Sequence, residues 1–203
     1  MSLADKYYDL TKHKNFYNIM PIENISSVIE NGILSFENVK AKNHSSIALN
    51  EVQNRRDGVV IPNGLRLHQY ANLYFTYNNP MLYKRKDISD SLCVLAISSK
   101  VMDLPEVVIT DRNAAASLVH FYDPIEGIYK IDFDIVFEKY WQREDYFEYQ
   151  NHKAIKCAEI LVPNCVPYKY ILGAYVVDEN AKYNLISQGF DKDIVINPTV
   201  FYR

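Results

Sequence analysis

The chain has 203 residues, 48% of them hydrophobic and 23% charged, which supplies one packed domain and excludes intrinsic disorder and an extended coiled coil. Its net charge of −3 argues against a protein that coats DNA generally, and no apolar run approaches the roughly 18 to 20 residues of a membrane span. The segment Met1-Ser2-Leu3-Ala4-Asp5-Lys6 has no apolar signal core, so a cytoplasmic protein without membrane contact is expected.

The first element is a helix over Ile22 to Gly32. Ile22, Ile25, Val28 and Ile29 share one face, Pro21 opens it and Gly32 closes it. A second helix is predicted from Ser46 to Arg56. Beyond Gly64 the pattern changes to short apolar or alternating runs at Ala71 to Tyr77, Leu92 to Ser98, Val107 to Thr110, Cys157 to Val162 and Leu172 to Val177, which read as strands. Pro80, Pro105, Pro124, Pro163 and Pro167 stand at or near the edges of such runs, where a missing N–H is tolerated. Asp132 to Trp141, Glu144 to Lys156 and Glu179 to Gln188 read as helices. Early helices, then strands interrupted by helices without regular alternation, predict an α+β fold with a largely antiparallel sheet. No linker, repeat or low-complexity tract divides the chain, so residues 1–203 read as one domain.

Charge is unevenly placed. Between Lys40 and Lys86 eight basic residues (Lys40, Lys42, Arg55, Arg56, Arg66, Lys84, Arg85, Lys86) face Glu51 and Asp57, so this segment carries +6 and leaves −9 for the rest. If the segment stays together in space it forms a phosphate-binding face; otherwise it is an ordinary solvated surface. Cys93, Cys157 and Cys165 have no ligand-like spacing, and His13, His44, His68, His120 and His152 form no i, i+4 pair, so no metal site is expected. Glycine-rich phosphate loops are absent too, which excludes Rossmann and P-loop nucleotide sites.

The most unusual residue is Glu159 in the apolar run Cys157-Ala158-Glu159-Ile160-Leu161-Val162. A carboxylate there points either to solvent or into a cleft where it has a task. Strand alternation puts Leu161 on the same face, and a solvent-facing Glu159 would leave Leu161 wet. Arg55-Arg56 at a helix end, Asn18, Asn24 and Tyr74, each taken alone, read as structural residues more readily than as functional ones.

Several blocks resemble one family in its own order. They are Tyr17-Asn18-Ile19-Met20-Pro21-Ile22-Glu23-Asn24-Ile25 with Glu30-Asn31-Gly32-Ile33-Leu34, Ser46-Ile47-Ala48 with Gln53-Asn54-Arg55-Arg56, and Leu67-His68. Leu73-Tyr74-Phe75 with Asn79-Pro80-Met81-Leu82-Tyr83 follows, then Thr110-Asp111-Arg112, Tyr140-Trp141 and Lys156-Cys157-Ala158-Glu159-Ile160-Leu161-Val162-Pro163. From about residue 16 onward the chain resembles the DarT-type DNA ADP-ribosyltransferases. The resemblance implies an ADP-ribosyltransferase fold, in which two small, mostly antiparallel sheets form a cleft for NAD. It implies that Glu159 is the catalytic glutamate, hydrogen-bonded to the 2′-hydroxyl of the nicotinamide ribose, and that Arg56 acts beside it. It places NAD against Tyr17, Asn18, Met20, Asn24, Gly32, Ser46, Tyr74 and Phe75, and DNA against Met81, Arg85, Arg112 and Asn113.

As a co-substrate NAD needs no metal. The implied acceptor is a base of single-stranded DNA. Asn18 and Asn113 stand where the thymine-modifying branch has histidines, so guanine is favoured over thymine. The resemblance also implies a monomeric toxin of a toxin–antitoxin or phage-defence system, opposed by a macrodomain antitoxin of the DarG type. The alternatives are transfer to RNA or protein, and a nucleic-acid-binding module without catalysis.

Overall fold

The structure is a computed structural model that describes residues 1–40, 44–46 and 50–203. Among these residues ten strands form the framework: β1 (Asn15–Pro21), β2 (Ile33–Leu34), β3 (Tyr70–Tyr74), β4 (Leu92–Ser98), β5 (Val108–Thr110), β6 (Phe121–Tyr122), β7 (Glu159–Pro163), β8 (Cys165–Val166), β9 (Ile171–Val176) and β10 (Asp193–Ile196). Around them lie α1 (Leu3–Thr11), α2 (Ile25–Asn31), α3 (Phe36–Val39), α4 (Asn50–Asp57), α5 (Pro80–Tyr83), α6 (Pro124–Gly127), α7 (Phe133–Phe137), α8 (Tyr146–Ile155) and α9 (Glu179–Ser187). The expected α+β class is observed.

Eight strands hydrogen-bond in the order β10-β9-β4-β1-β3-β7-β5-β6, and β2 pairs with β8 separately. Among the described residues every strand pairing is antiparallel except β10 with β9. The two halves of the large sheet meet at one point. β1 runs with β4 from Asn15↔Ser98 to Pro21↔Leu92, whereas its register with β3 is the single pair Tyr17↔Tyr74. Strands that touch at one end must diverge at the other, and that divergence opens a cleft between β1 and β3. The amide of Asn18 spans its narrow end, donating to the Asn72 carbonyl at 3.1 Å.

Strand β4 is buried along nearly its whole length, as its unbroken apolar run Leu92-Cys93-Val94-Leu95-Ala96-Ile97 requires. An aromatic cluster of Tyr7, Phe16, Phe75 and Phe133 packs behind the sheet, with centroid separations from 5.1 to 6.0 Å. It fixes α1 and α7 there.

Some elements are shorter than the sequence suggests. The helix expected over Ile22 to Gly32 is a 3-10 turn at Ile22–Asn24 followed by α2. It stops at Gly32, whose φ of 75° and approach to β8 leave no room for a side chain: a Cβ would lie 2.4 Å from the Val166 carbonyl oxygen. Asp132 to Trp141 is helical only over α7, because Lys156 Nζ donates to the carbonyls of Val136 and Glu138 at 2.8 and 2.5 Å and fixes the chain as it leaves the helix. Of the helix expected at Ser46 to Arg56, α4 is observed, and Ile47, Ala48 and Leu49 lie outside the described residues, as does Lys42 of the basic segment.

Candidate active site

Glu159 is the first residue of β7 and is fully buried. Its backbone N–H donates to Thr110 Oγ1 at 3.0 Å, and that hydroxyl donates to the Arg112 carbonyl at 2.7 Å, which fixes where the strand begins. The carboxylate accepts from Ala114 N–H at 2.9 Å and from Arg56 Nη1 at 3.1 and 3.0 Å. A carboxylate removed from water needs such partners. Leu161, on the same face of the strand, is covered by Ile61, Leu67, Tyr70 and Ala114. Glu159 therefore points into the protein, and its face of the strand is dry.

Directly across the sheet, Tyr74 pairs with Glu159 in register, so the two side chains share a face. Burial, reinforced by the Glu159 carboxylate, pushes the Tyr74 hydroxyl well above the usual tyrosine range, so it stays protonated as a hydrogen-bond donor. The Cys157 thiol is pushed up to about 12 by burial and then by Glu159, which keeps it an uncharged wall group rather than a nucleophile.

In front of this group lies a cavity of about 390 Å³. One wall comes from β1 and the 3-10 turn after it (Asn18, Met20, Asn24), another from β3 and the segment before it (His68, Asn72, Tyr74). Asn24 holds the segment at Ser45 across the opening: its Nδ2 donates to the Ser45 carbonyl at 2.7 Å and its Oδ1 accepts from Ser45 N–H at 3.0 Å. Asn79 caps α5 by accepting from the N–H groups of Met81 and Leu82, which positions Met81 in the wall. Arg55, Arg56 and Lys84 of the basic segment reach the cavity, and Lys153 of α8 joins them. Among the described residues no group of His, Cys, Asp and Glu is placed to hold a metal ion.

Of the residues singled out from sequence, Asn18, Met20, Asn24, Gly32, Ser46, Arg56, Tyr74, Met81 and Asn113 come together around this cavity. Glu159 sits immediately behind Arg56. Tyr17 does not reach the cavity, because its ring packs on Tyr77 and Tyr175 at 5.1 and 6.5 Å. Phe75 belongs to the aromatic cluster behind the sheet. Arg112 bonds Asn151 at 3.2 Å and contacts Asp111 at 3.5 Å, away from the cavity, and Arg85 also lies outside its wall. Sequence reasoning missed Phe36, Gln53, Gln150 and Lys153, which line the cavity. For Gln150, Lys153 and Ala154 a signal existed: their i, i+3, i+4 spacing puts them on one face of α8.

Residues 17–202 match the family model described as "DarT: ssDNA thymidine ADP-ribosyltransferase, DarT". The chain belongs to the DarT family. A DNA ADP-ribosyl transferase–DNA ADP-ribosyl glycohydrolase fusion protein of Thermosipho africanus is 31% identical over 204 residues, 94% of this chain but 50% of the fusion, so the chain spans about half of that relative. A DNA ADP-ribosyl transferase of Thermus aquaticus is 28% identical over 80% of this chain and 75% of its own length. Thermosipho africanus DarTG, solved with ADP-ribose, superposes with a TM-score of 0.81 at 29% identity, covering 94% of this chain and 51% of that one. DarT of Thermus sp. 2.9, solved with ADP-ribosylated ssDNA, reaches 0.82 at 22% identity over 94% of this chain and 97% of its own, and shares the fold. The DarT fold is thus common to this chain and its relatives.

Proposed function

We propose that this chain transfers ADP-ribose from NAD to a base of single-stranded DNA. One observation carries the reading: a fully buried carboxylate, Glu159, is held by Arg56 Nη1 and Ala114 N–H directly behind a cavity. As the bond from nicotinamide to its ribose breaks, positive charge builds on that ribose. A fixed carboxylate stabilises charge that exists only as the bond breaks. The base nitrogen takes the bond that nicotinamide gives up, and its proton is released. Tyr74 and Met81 offer a flat ring and a thioether for the two ring systems that meet there. Arg55, Lys84 and Lys153 supply positive charge for the phosphates. An unpaired strand is the cheaper substrate, since extracting a base from duplex costs a few kcal/mol.

The family description names thymidine, and this supports thymidine as the acceptor. The two asparagines behind the guanine expectation have structural tasks: Asn18 bridges β1 to β3, and Asn113 Oδ1 accepts from Ala115 N–H at 3.0 Å. The glycohydrolase fused to the Thermosipho relative supports a toxin whose mark is removed by a DarG-type macrodomain partner in the same cytoplasm. Incubation with NAD and oligonucleotides of single-base composition, beside RNA and lysate protein, followed by mass spectrometry tests all of this. The expected product is ADP-ribose on a thymidine-containing strand. No adduct on any DNA overturns the reading.

A further inference from the structure

Beyond the catalytic end, the cavity wall carries three buried polar atoms with no hydrogen-bond partner among the described residues: Asn18 Oδ1, Gln53 Oε1 and His68 Nε2. The side chain of His68 is more than nine-tenths buried. Its other nitrogen, Nδ1, lies 3.2 Å from the largely exposed Asp57 carboxylate. A carboxylate only accepts, so Nδ1 carries the ring proton and Nε2 presents a lone pair to the cavity. Burial first, then the charge of Arg56, lowers the His68 pKa and keeps the ring neutral near pH 7. The Asn18 orientation is fixed likewise, because its Nδ2 is committed to the Asn72 carbonyl. Both atoms are therefore acceptors, and Gln53 Oε1 is a third beside them. A wall of unmet acceptors fits a ligand rich in O–H or N–H donors, since each is costly while empty.

Position says which part of the ligand. Glu159 faces Tyr74 at one end of β3, whereas His68 precedes Tyr70 at the other. A strand rise of about 3.3 Å per residue separates the two ends by roughly 13 Å. With the nicotinamide ribose at Glu159, the far half of the dinucleotide lies toward His68. There the Phe36 ring, also in the cavity wall, stands 4.5 Å from the imidazole, offering a second flat surface.

We infer that His68 is a binding residue whose Nε2 accepts a hydrogen bond from a donor on the adenosine half of NAD, beside Phe36. The inference rests on the NAD reading above. The donor is either the 6-amino group or a ribose hydroxyl. Calorimetric titration of the wild type, His68→Phe and His68→Gln with four probes decides: NAD, its hypoxanthine analogue, and NAD lacking the 2′- or the 3′-hydroxyl of the adenosine ribose. His68→Phe keeps a flat ring on Phe36 and should bind NAD about tenfold more weakly, with His68→Gln recovering part of the loss. In the wild type one analogue should lose a similar factor, and His68→Phe should be indifferent to that same change. If His68→Phe does not melt cooperatively, His68→Gln carries the comparison, with a smaller loss and weakened sensitivity to the same analogue. Variants that bind NAD as the wild type does, or that weaken all four probes equally, overturn the role of His68 and leave the NAD reading standing. A wild type that binds no NAD overturns both.

Discussion

One nitrogen of Arg56, Nη1, lies 3.1 and 3.0 Å from the two carboxylate oxygens of Glu159, and Arg56 rather than Glu159 forms the cavity wall. The guanidinium thus stands between the carboxylate and the cavity. A buried pair of this kind is costly to break from one side, because the remaining charge loses its partner without gaining water. The same pair holds the carboxylate in one orientation before any ligand arrives.

Glu159→Gln retains the shape of the side chain and removes its charge. Loss of a pre-placed electrostatic group typically lowers kcat about 10²- to 10³-fold, and the drop here should fall in that range. NAD affinity should change far less, since the carboxylate acts on charge absent from the ground state. A parallel loss in NAD binding, measured by titration, contradicts the assignment.

Arg56→Ala leaves Glu159 buried and uncompensated. The expected cost is about 3 kcal/mol or more in urea unfolding, together with loss of transfer activity. Arg56→Lys restores charge but not the planar fork and should recover stability more than activity. An Arg56→Ala protein as stable as the wild type would mean that the ion pair is not formed in solution.

Phe75 offers the opposite test. Its ring is fixed by Tyr7, Phe16 and Phe133 behind the sheet. Phe75→Leu should therefore cost about 1–3 kcal/mol of stability and leave the KM for NAD unchanged at a temperature where the protein is folded. A raised KM at full stability would return Phe75 to the cofactor site.

How far these positions were legible in sequence depended on what made each side chain conspicuous. Glu159 stood out because a carboxylate in an apolar strand needs a reason, and the dryness of Leu161 on the same face made solvent the wrong one. Strand β1 gave no alternation, since Phe16, Tyr17, Asn18 and Ile19 are all buried, so the strand that forms one wall of the cleft carries no period of two. Helix α1 was missed as well, although Ser2 and Asp5 form a capping box at its start. The resemblance implies NAD contacts for Tyr17 and Phe75, each the chain neighbour of a cavity-lining residue, Asn18 and Tyr74. Neighbours along an extended chain face opposite sides, and both rings pack away from the cavity. The pairing of His68 with Asp57 joins residues eleven positions apart through a loop, which no local period reveals.

The ten-residue loop that carries Ala114 is closed by Asp111 and His120. Asp111 Oδ1 accepts from His120 N–H at 3.0 Å, and Oδ2 lies 3.0 Å from His120 Nδ1. Burial alone would raise the Asp111 pKa, but the His120 backbone and ring, with Arg112, outweigh it and hold it below the usual range. A lowered acid contributes stability above its unfolded pKa, and that contribution is lost as pH falls through the folded value. Asp111→Asn should therefore cost about 1–2 kcal/mol at pH 7, with the gap from wild type shrinking below about pH 4. Because the loop aims Ala114 N–H at Glu159, kcat should fall while the KM for NAD holds.

Lys156 gives the clearest pH signature. Its ammonium is buried against the carbonyls of Val136 and Glu138, and burial lowers its pKa to about 8. An unfolded lysine titrates near 10.4, so between about pH 8 and 10 the unfolded chain holds a proton that the folded chain has released. Stability from this group then rises with pH across that window, opposite to the behaviour of a surface lysine in a salt bridge. Lys156→Met removes the titration together with the donor to both carbonyls. Across the same window the melting temperature of the wild type should gain about 4 °C on that of Lys156→Met. Tyrosine and cysteine ionisation affects both proteins alike, so the difference between them isolates the lysine. A constant difference from pH 8 to 10 would place Lys156 in contact with water, and with it the chain that leaves α7.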